Sequence, residues 1–556
     1  MSGTNGSGSL RVIPLGGLGE IGLNCLVLEY GGAAIAIDCG LMFPESFMFG
    51  IDLVIPDLSY LHRLGDGFLG FVLTHGHEDH LGALPYVLRD LDAPVYAPPM
   101  AAALLTEKLR EHGLLERTRL EVVRTRQPWR LGPFTIEAVH MTHSIVDAVA
   151  LAITTPVGTV IHSGDFKLDH TPVDEEASDL SGLAEYAARG VRLLLSDSTN
   201  AERPGVTPSE RTIRGAIDRI FSDTPGRVFF STFASHVRRL AQVIELSQRY
   251  GRRLVTVGRS MNNSVRLASQ LGYLRYPTSL FADIGELKTL DPREVTLLIT
   301  GSQGEPLSAL IRIAEDDHGQ IKMGPDDAVV LSSRIIPGNE KAISNMINHI
   351  CRRGARVHHA GNAAVHVSGH ASQEELKLLI RLVRPQYFVP IHGEYRHLAR
   401  HRGLAQSAGV PGENTFLLEN GHVLEVGAQE ARMAAPVRAG RVFVDGKTIG
   451  DVEDVVLRDR RHLSSDGLVL AVVAIDQQSG EIISGPDLVS RGFVQADDQE
   501  YLQQARDVIL NALQRLAPES RSDSMEVKEE VRKALKRFFA RTLERRPVIV
   551  PVVMEM

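Results

Sequence analysis

The sequence predicts a layered α/β fold, with a second α/β unit inserted into the first and a third, smaller one at the C-terminal end. Three observations predict it. Short apolar runs recur from Leu10 onward and stop at or beside Asp or His, as Ala34–Ile37 does before Asp38. Such a run puts the polar side chain on the rim of a sheet, where the active sites of layered α/β folds collect. Near Thr207-Pro208-Ser209-Glu210 this pattern gives way to a regular alternation of strands and helices that continues to about His359. The earlier pattern returns at His366 and His392, so the middle unit reads as an insertion.

Taken in order, residues 1–9 are rich in Gly and Ser and read as a flexible tail without the apolar stretch of a secretory signal. The first unit covers 10–208. Its strands include Ala34–Ile37, Phe68–Leu73 ahead of Thr74-His75, Thr159–Ile161 ahead of Gly164-Asp165, and Val191–Leu195 ahead of Ser196-Asp197. Helices over Met100–Glu111 and Leu180–Arg189 lie between them. Gly17-x-Gly19-x-x-Gly22 matches the dinucleotide-binding fingerprint, but that reading needs a crossover helix of about 10 residues after the third glycine. Asn24–Tyr30 is short, β-prone and closed by Gly31-Gly32, so it reads as a hairpin strand returning through Ala33–Ile37. The insertion covers 209–365: a helix over Glu210–Phe221, strand Arg227–Phe230, helix Val237–Arg249 and strand Leu254–Val257. The first unit resumes over 366–440, residues 441–460 read as a linker, and 461–556 form the C-terminal unit. Its last helix, about Asp523–Glu544, carries an apolar stripe of Val527, Val531, Leu535, Phe538/Phe539 and Leu543 expected to pack a core. Pro547 ends it, and Val548–Val553 reads as a final strand.

Composition narrows the function classes. Of 556 residues 43% are hydrophobic, too many for a largely disordered chain, and a net charge of −8 excludes histone-like proteins. Cys25, Cys39 and Cys351 are odd in number and form no C-x-x-C pair. That argues against disulfides and cysteine-based zinc sites and for a reducing, cytoplasmic setting. The longest apolar runs, such as Leu468–Ile475, fall far short of the ~18–20 residues that cross a bilayer, so no membrane partner is expected.

The sharpest chemical signal is Thr74-His75-Gly76-His77-Glu78-Asp79-His80, directly after an apolar strand. Imidazole and carboxylate suit zinc, manganese or iron. A loop of this spacing can aim His75 and His77 at one ion while Asp79 and His80 reach a second; two ions ~3.5–4 Å apart can clamp the attacking and leaving oxygens of a hydrolysis. Further candidate ligands, His143, Asp165 and His392, follow downstream beside short apolar runs.

His75-x-His77-x-Asp79-His80, Thr142-His143-Ser144, Ser163-Gly164-Asp165-Phe166 and the strand-ending Asp38 resemble the motif series of the metallo-β-lactamase fold. Asp197 in Ser196-Asp197-Ser198-Thr199, His370 in His366-Val367-Ser368-Gly369-His370, and His392 in Ile391-His392-Gly393 resemble motifs A, B and C of its nucleic-acid-processing β-CASP branch. Pro14–Asn24, Ser332–Glu340 and Ser490–Val494 resemble segments of that branch's ribonuclease J family, and the likeness covers nearly the whole chain. The resemblance implies an αββα metallo-β-lactamase sandwich (10–208 and 366–440), an inserted α/β β-CASP domain (209–365) and a small C-terminal α/β domain. It implies two divalent ions, Zn2+ and/or Mn2+: one on His75, His77 and His143, the other on Asp79, His80 and His392, with Asp165 bridging and Asp38 supporting from behind. It casts His370, oriented by Asp197, as the acid for the leaving 3′ oxygen, with Asp79 also among the catalytic residues. His366, Ser368, Gly369 and Ser333 would cradle the 5′ monophosphate of the substrate.

The activity so implied is a metal-dependent ribonuclease acting 5′-to-3′ as an exonuclease and also as an endonuclease on single-stranded RNA, in rRNA processing and mRNA decay. Cytoplasmic residence, homodimerisation through the C-terminal unit and a place in a larger RNA-decay assembly are the implied setting. The alternative is another hydrolase on the same fold, a DNA nuclease or a small-molecule thioesterase. A whole inserted domain is more than a pocket of ~300–1,000 Å³ requires. A non-catalytic RNA-binding scaffold is opposed by the intact ligand set. The acidic total does not oppose a nucleic-acid substrate, because residues 201–280 hold 13 arginines, no lysine and five acids. Arginine is the side chain best shaped for phosphate, and the surplus reads as a basic track on an acidic body.

Overall fold

Strands whose inward residues are Leu, Ile and Val must bury that face, and the first unit does so by laying two sheets together. The computed structural model describes residues 8–45, 47–305, 308–336, 338–446, 448–450, 454–493 and 499–556. Two units separate: Met1–Phe43 with Val54–Val442, and Pro44–Leu53 with Phe443–Met556. Within the first, an eight-stranded sheet runs in the order Ala431–Ala434, Val423–Val426, Leu10–Gly16, Cys25–Tyr30, Ala33–Ile37, Phe68–Val72, Val95–Ala97, Leu120–Val122. A six-stranded sheet runs Tyr387–Ile391, Val191–Asp197, Gly158–His162, Val149–Thr155, Phe134–His140, Trp129–Leu131. Leu28, Ile35, Ile37 and Val72 of one sheet meet Ile136, Leu151, Ile153, Leu193 and Val389 of the other in a shared core. Each such side chain contributes about 1.5–3 kcal/mol on burial. Helices Leu180–Arg189, Gln373–Val383 and Tyr395–Ser407 cover the outer face of the second sheet through Leu183, Leu376, Ile380 and Leu404. The result is the αββα arrangement expected from the sequence.

Cys25–Tyr30 pairs antiparallel with Ala33–Ile37, Leu26 facing Ile37, so the glycine fingerprint introduces a hairpin and not a crossover helix. The inserted unit has a five-stranded sheet, all parallel, in the order Arg253–Val257, Val295–Ile299, Val228–Ser231, Ala328–Leu331, Arg356–His359. Successive residues Phe229 and Phe230 enter opposite cores, as a parallel sheet buried on both faces requires. In the C-terminal unit, Leu468–Ile475 lies between Ile482–Arg491 and Val548–Glu555. Val469, Ala471 and Val473 pack on Val527, Val531, Leu535 and Phe539 of helix Ser524–Thr542, so the terminal stripe is core.

Two segments differ from the sequence reading. The helix expected over Glu210–Phe221 is a 3-10 turn, Glu210–Ile213, followed by α-helix Arg214–Asp223. The expected linker 441–460 contains strands Arg441–Asp445 and Thr448–Ile449 and the start of helix Asp454–Asp466. Burial alternates through His366–His370, with Val365, Val367 and Gly369 inward. Residues 1–7 of the expected tail, Pro337 in Ser332–Glu340 and Val494 in Ser490–Val494 lie outside the described residues.

Sheet register decides what reaches the rim. The parallel pair ending Ile37↔Val72 sends Asp38 and Thr74 off neighbouring strands of the first sheet, and Asp197↔Ile391 does the same for Asp197 and His392 of the second. The Val149 N–H donates to the Thr74 carbonyl at 3.1 Å and stitches the two rims together.

Candidate metal centre and adjoining cavity

The loop after Phe68–Val72 turns back on itself because Cys39 N–H donates to the His80 carbonyl at 2.7 Å and Leu41 N–H to the Glu78 carbonyl at 3.0 Å. Gly40 lies so close to this loop that a Cβ there would stand 1.6 Å from the Asp79 carbonyl oxygen. Two rim residues hold the left-handed backbone that L side chains rarely adopt, Asp38 at φ 61° and His392 at φ 55°. Such strain persists only where the surroundings impose it, and it gathers at functional sites.

The side chains converge. His75, His77, His143 and Asp165 each offer a ligand atom within 4.8 Å of the others; so do Asp79, His80 and His392 as a second group, and Asp165, Asp197, His370 and His392 as a third. Asp165 joins the groups: its Oδ2 lies 3.8 Å from Nε2 of His75 and of His143 and 3.3 Å from Nε2 of His80, and its Oδ1 lies 3.5 Å from His392 Nδ1.

The far nitrogens of three of these rings are occupied. His143 Nδ1–H donates to the Gly369 carbonyl at 2.8 Å, His80 Nδ1–H to Asp38 Oδ2 at 2.8 Å, and His75 Nδ1 meets Thr74 Oγ1 at 3.0 Å. Their Nε2 atoms therefore point at Asp165, and such an outer hydrogen bond fixes the orientation of a ligating histidine. Asp38 is fixed in turn by Thr74, whose N–H and hydroxyl each donate at 2.8 Å.

The electrostatics have two poles. Burial, then neighbouring imidazoles, hold His75 and His143 well below the usual histidine range, and burial pushes His77 down to about 4. At the other pole burial is outweighed by Asp165 and Asp197, which with Asp79 lift His392 to about 10; Asp165, Asp79 and Asp38 likewise hold His80 up. Asp197 stays ionised despite its burial, chiefly because His370 lies beside it. Imidazoles and ionised carboxylates aimed at common points, with no thiolate among them, fit hard or borderline divalent cations.

His370 Nδ1 and Asp197 Oδ2 are 2.8 Å apart. Thr199 Oγ1 bonds both Asp197 Oδ1 at 2.8 Å and His392 Nδ1 at 2.7 Å, and Asn24 Nδ2 donates to the Asp79 carbonyl at 2.9 Å. Both were missed as site residues by sequence reasoning, although each stands inside a segment that carried the resemblance.

A cavity of about 360 Å³ adjoins, lined among others by Arg203, Arg334, Ile335, His366 and Ser368. Neither arginine has a carboxylate partner among the described residues; Arg334 donates to Asn200 Oδ1 at 2.9 Å, and burial with the charges of Arg203 and Arg396 pushes its pKa down. Burial with Arg239 and His236 drives His366 to about 3, and its Nδ1 has no partner among the described residues. The four expected phosphate-binding residues therefore separate. His366 and Ser368 line the cavity. Gly369 instead backs His143, where a Cβ would meet Cε1 at 2.9 Å, and Ser333 is buried with its Oγ accepting from Gln303 at 3.0 Å. A larger cavity of about 480 Å³ shares Val206, Thr207 and Pro208 with this one but holds none of the clustered ligands.

The arginine-rich window also resolves. Arg238, Arg239 and Arg252 are buried. Arg211, Arg214, Arg227, Arg249, Arg253 and Arg266 pair with carboxylates. The remaining four, Arg203, Arg219, Arg259 and Arg275, are neither buried nor paired with a carboxylate among the described residues, so burial and ion pairs take up most of the expected basic track.

Known families match along the chain: the metallo-beta-lactamase superfamily over 18–211, the beta-CASP domain of ribonuclease J over 225–350, a Zn-dependent metallo-hydrolase RNA specificity domain over 355–417, and the ribonuclease J C-terminal domain over 455–556. Ribonuclease J of Synechocystis is 42% identical over 98% of this chain and 86% of its own length. Ribonuclease J 1 of Streptococcus pyogenes is 42% identical over 98% and 97%, and ribonuclease J of Mycobacterium tuberculosis 41% over 99% and 98%. The crystal structure of a protein of unknown function from Enterococcus faecalis V583 shares the fold, with a TM-score of 0.53 and 16% identity over 75% of this chain and all of that one.

Proposed function

The chain belongs to the ribonuclease J family, and on that premise we propose that it degrades single-stranded RNA from 5′-monophosphate ends, 5′-to-3′, and also cuts internally, in RNA maturation and decay. One observation carries this reading. Segment 366–370 lines the arginine cavity with His366 and Ser368 and, one residue later, presents the Gly369 carbonyl to His143 of the metal cluster. An end-binding site and a hydrolytic site thus share five residues of backbone. Guanidinium, imidazole and hydroxyl donors suit a terminal phosphate.

In this reading His75, His77 and His143 would hold one divalent ion and Asp79, His80 and His392 another, with Asp165 within reach of both sets; zinc and manganese both suit the set. Ions bound there would supply Lewis-acid chemistry and lower the pKa of a water toward neutrality. The chain's own groups do the rest. Asp38 fixes the His80 ring. Asp197, ionised, accepts the Nδ1–H of His370 and supports the imidazolium, whose second proton, on Nε2, is the one passed to the leaving 3′ oxygen. Arg203, Arg334, His366 and Ser368 hold the 5′ phosphate, with Ser333 propping the cavity from behind through Gln303.

The three cysteines are free, in accord with a cytoplasmic protein. No helix among the described residues is long and apolar enough to cross a membrane. The C-terminal sheet buries one face and leaves Val489, Val550, Val552 and Met554 exposed, a patch suited to a second copy of the chain; a solution mass of one chain at micromolar concentration overturns the homodimer. The activity is tested on one RNA carrying a 5′ hydroxyl, monophosphate or triphosphate, with zinc or manganese. The monophosphate form is degraded fastest, to mononucleotides. Undiminished cleavage by His77→Ala or Asp79→Ala overturns the reading, and a matched DNA strand cleaved equally well favours a DNA nuclease.

A further inference from the structure

Two consecutive arginines in the inserted unit stand where local physics disfavours them. Arg238 and Arg239 occupy the first turn of helix Val237–Arg249, where cations oppose the helix dipole, and both are buried, at 4% and 0% exposure. A buried guanidinium is costly unless its donors are met. These two meet most of theirs outside their own helix. Arg238 Nη1 donates to the carbonyl of His143 at 2.8 Å, and its Nε to Asp174 at 2.6 Å. Arg239 donates to Glu210 Oε2 through Nε and Nη2 at 3.1 and 2.7 Å. Its Nη1 reaches the Val365 carbonyl at 3.0 Å and the Ser332 hydroxyl, which itself donates to the same carbonyl at 2.6 Å.

These contacts close a circuit. His143 is gripped by its carbonyl from Arg238 and by its ring from Gly369. Gly369 ends the segment that begins at Val365, and Val365 is gripped by Arg239. We infer that Arg238 and Arg239 are positioning residues that clamp the cavity-lining segment and the ligand-bearing His143 into one unit, Arg239 setting recognition of the RNA end and Arg238 setting the alignment of His143. The inference rests on the cavity and cluster roles proposed above. It goes beyond them in assigning the inserted unit a part in the chemistry through residues that touch neither substrate nor metal.

The test uses the full chain with Arg238→Lys, Arg239→Lys and Ser332→Ala. The lysines keep the charge, so no carboxylate is orphaned, but lose the fork; folding is checked by circular dichroism and melting. Arg238→Lys is expected to weaken zinc affinity, read by chelator competition, by about 10–100-fold. It lowers kcat alike on 5′-monophosphate and 5′-hydroxyl RNA. Arg239→Lys and Ser332→Ala are expected to raise KM for monophosphate RNA about tenfold and to bring the monophosphate-to-hydroxyl ratio toward one, with kcat little changed. Folded variants that keep the parental zinc affinity, KM and ratio overturn the clamp. Should Arg239→Lys not fold, an unchanged ratio in Ser332→Ala overturns the end-recognition half by itself. A parent with no preference for 5′ monophosphate overturns the cavity reading instead, and the clamp on His143 is then judged by the zinc affinity of Arg238→Lys.

Discussion

Asp197 and His370 show how a single hydrogen bond assigns a chemical role. With Asp197 ionised and 2.8 Å from His370 Nδ1, the ring is held with Nδ1–H on the carboxylate, and Nε2 is the nitrogen left to carry the proton for the leaving oxygen. Asp197→Asn keeps the shape but removes the charge that supports the imidazolium, so kcat on RNA is expected to fall by about 10²–10⁴ while KM stays within a fewfold. Single-turnover cleavage by the purified variant checks it, and parental kcat sinks the role. His401 supplies a separate prediction. Burial holds its pKa at about 3, with its Nδ1 on Ser198 Oγ at 3.0 Å and its ring edge-on to Phe388. The folded protein prefers this ring neutral. Its contribution to stability is therefore complete above pH ~6.5 and is lost by about 1.4 kcal/mol per unit as pH falls toward 3. His401→Gln cannot titrate, so its stability falls less steeply than the parent's between pH 6.5 and 4.5; parallel slopes by denaturant melts refute the assignment. The metal cluster was legible at this scale because four of its residues sit within six positions of one loop. Thr199, Asn24 and Arg238 were not, since each acts across a fold that brings residues far apart in sequence into contact: 55 positions for Asn24 and Asp79, 95 for Arg238 and His143, 193 for Thr199 and His392.

At the scale of elements, periodicity found most strands and helices to within a residue or two, among them Leu180–Arg189 and Val237–Arg249. It failed where a side chain serves the interior against its own helix. Ser209 Oγ accepts from Arg211 N–H, and Glu210 is buried to meet Arg239. The first turn is therefore held as 3-10, and the α-helix starts only at Arg214. Close approach is equally invisible to periodicity. Gly40 reads as an ordinary loop glycine, yet the turn it makes lets the strand end of Ala33–Ile37 lie on the metal loop. Gly40→Ala must push Asp79 and His80 away and is expected to cost at least about 1–3 kcal/mol while weakening metal binding. Melting temperature and bound metal by mass spectrometry check both, and a variant with parental values of each contradicts the packing argument.

Over the whole molecule, net charge says little about where phosphate binds. The total is −8, and the arginine surplus of residues 201–280 looked like a surface track. Folding spends nine of those 13 arginines on burial or carboxylates, and the cavity keeps one of the rest, Arg203, beside Arg334 from another segment. The two kinds of arginine should differ in how they respond to salt. Each arginine that contacts a phosphate of single-stranded RNA displaces counterions and adds about 0.7 to the slope of log affinity against log salt. An arginine already neutralised by a carboxylate adds nothing. Binding is measured in a His77→Ala background, which leaves the RNA intact. Arg203→Ala with Arg334→Ala is then expected to reduce the slope by about 1.4. Arg249→Ala, which removes an exposed arginine 3.2 Å from Asp218, leaves the slope unchanged. Equal effects from the two would mean that RNA follows the general basicity of the inserted unit and not the cavity, and the assignment of Arg203 and Arg334 to the substrate would fall.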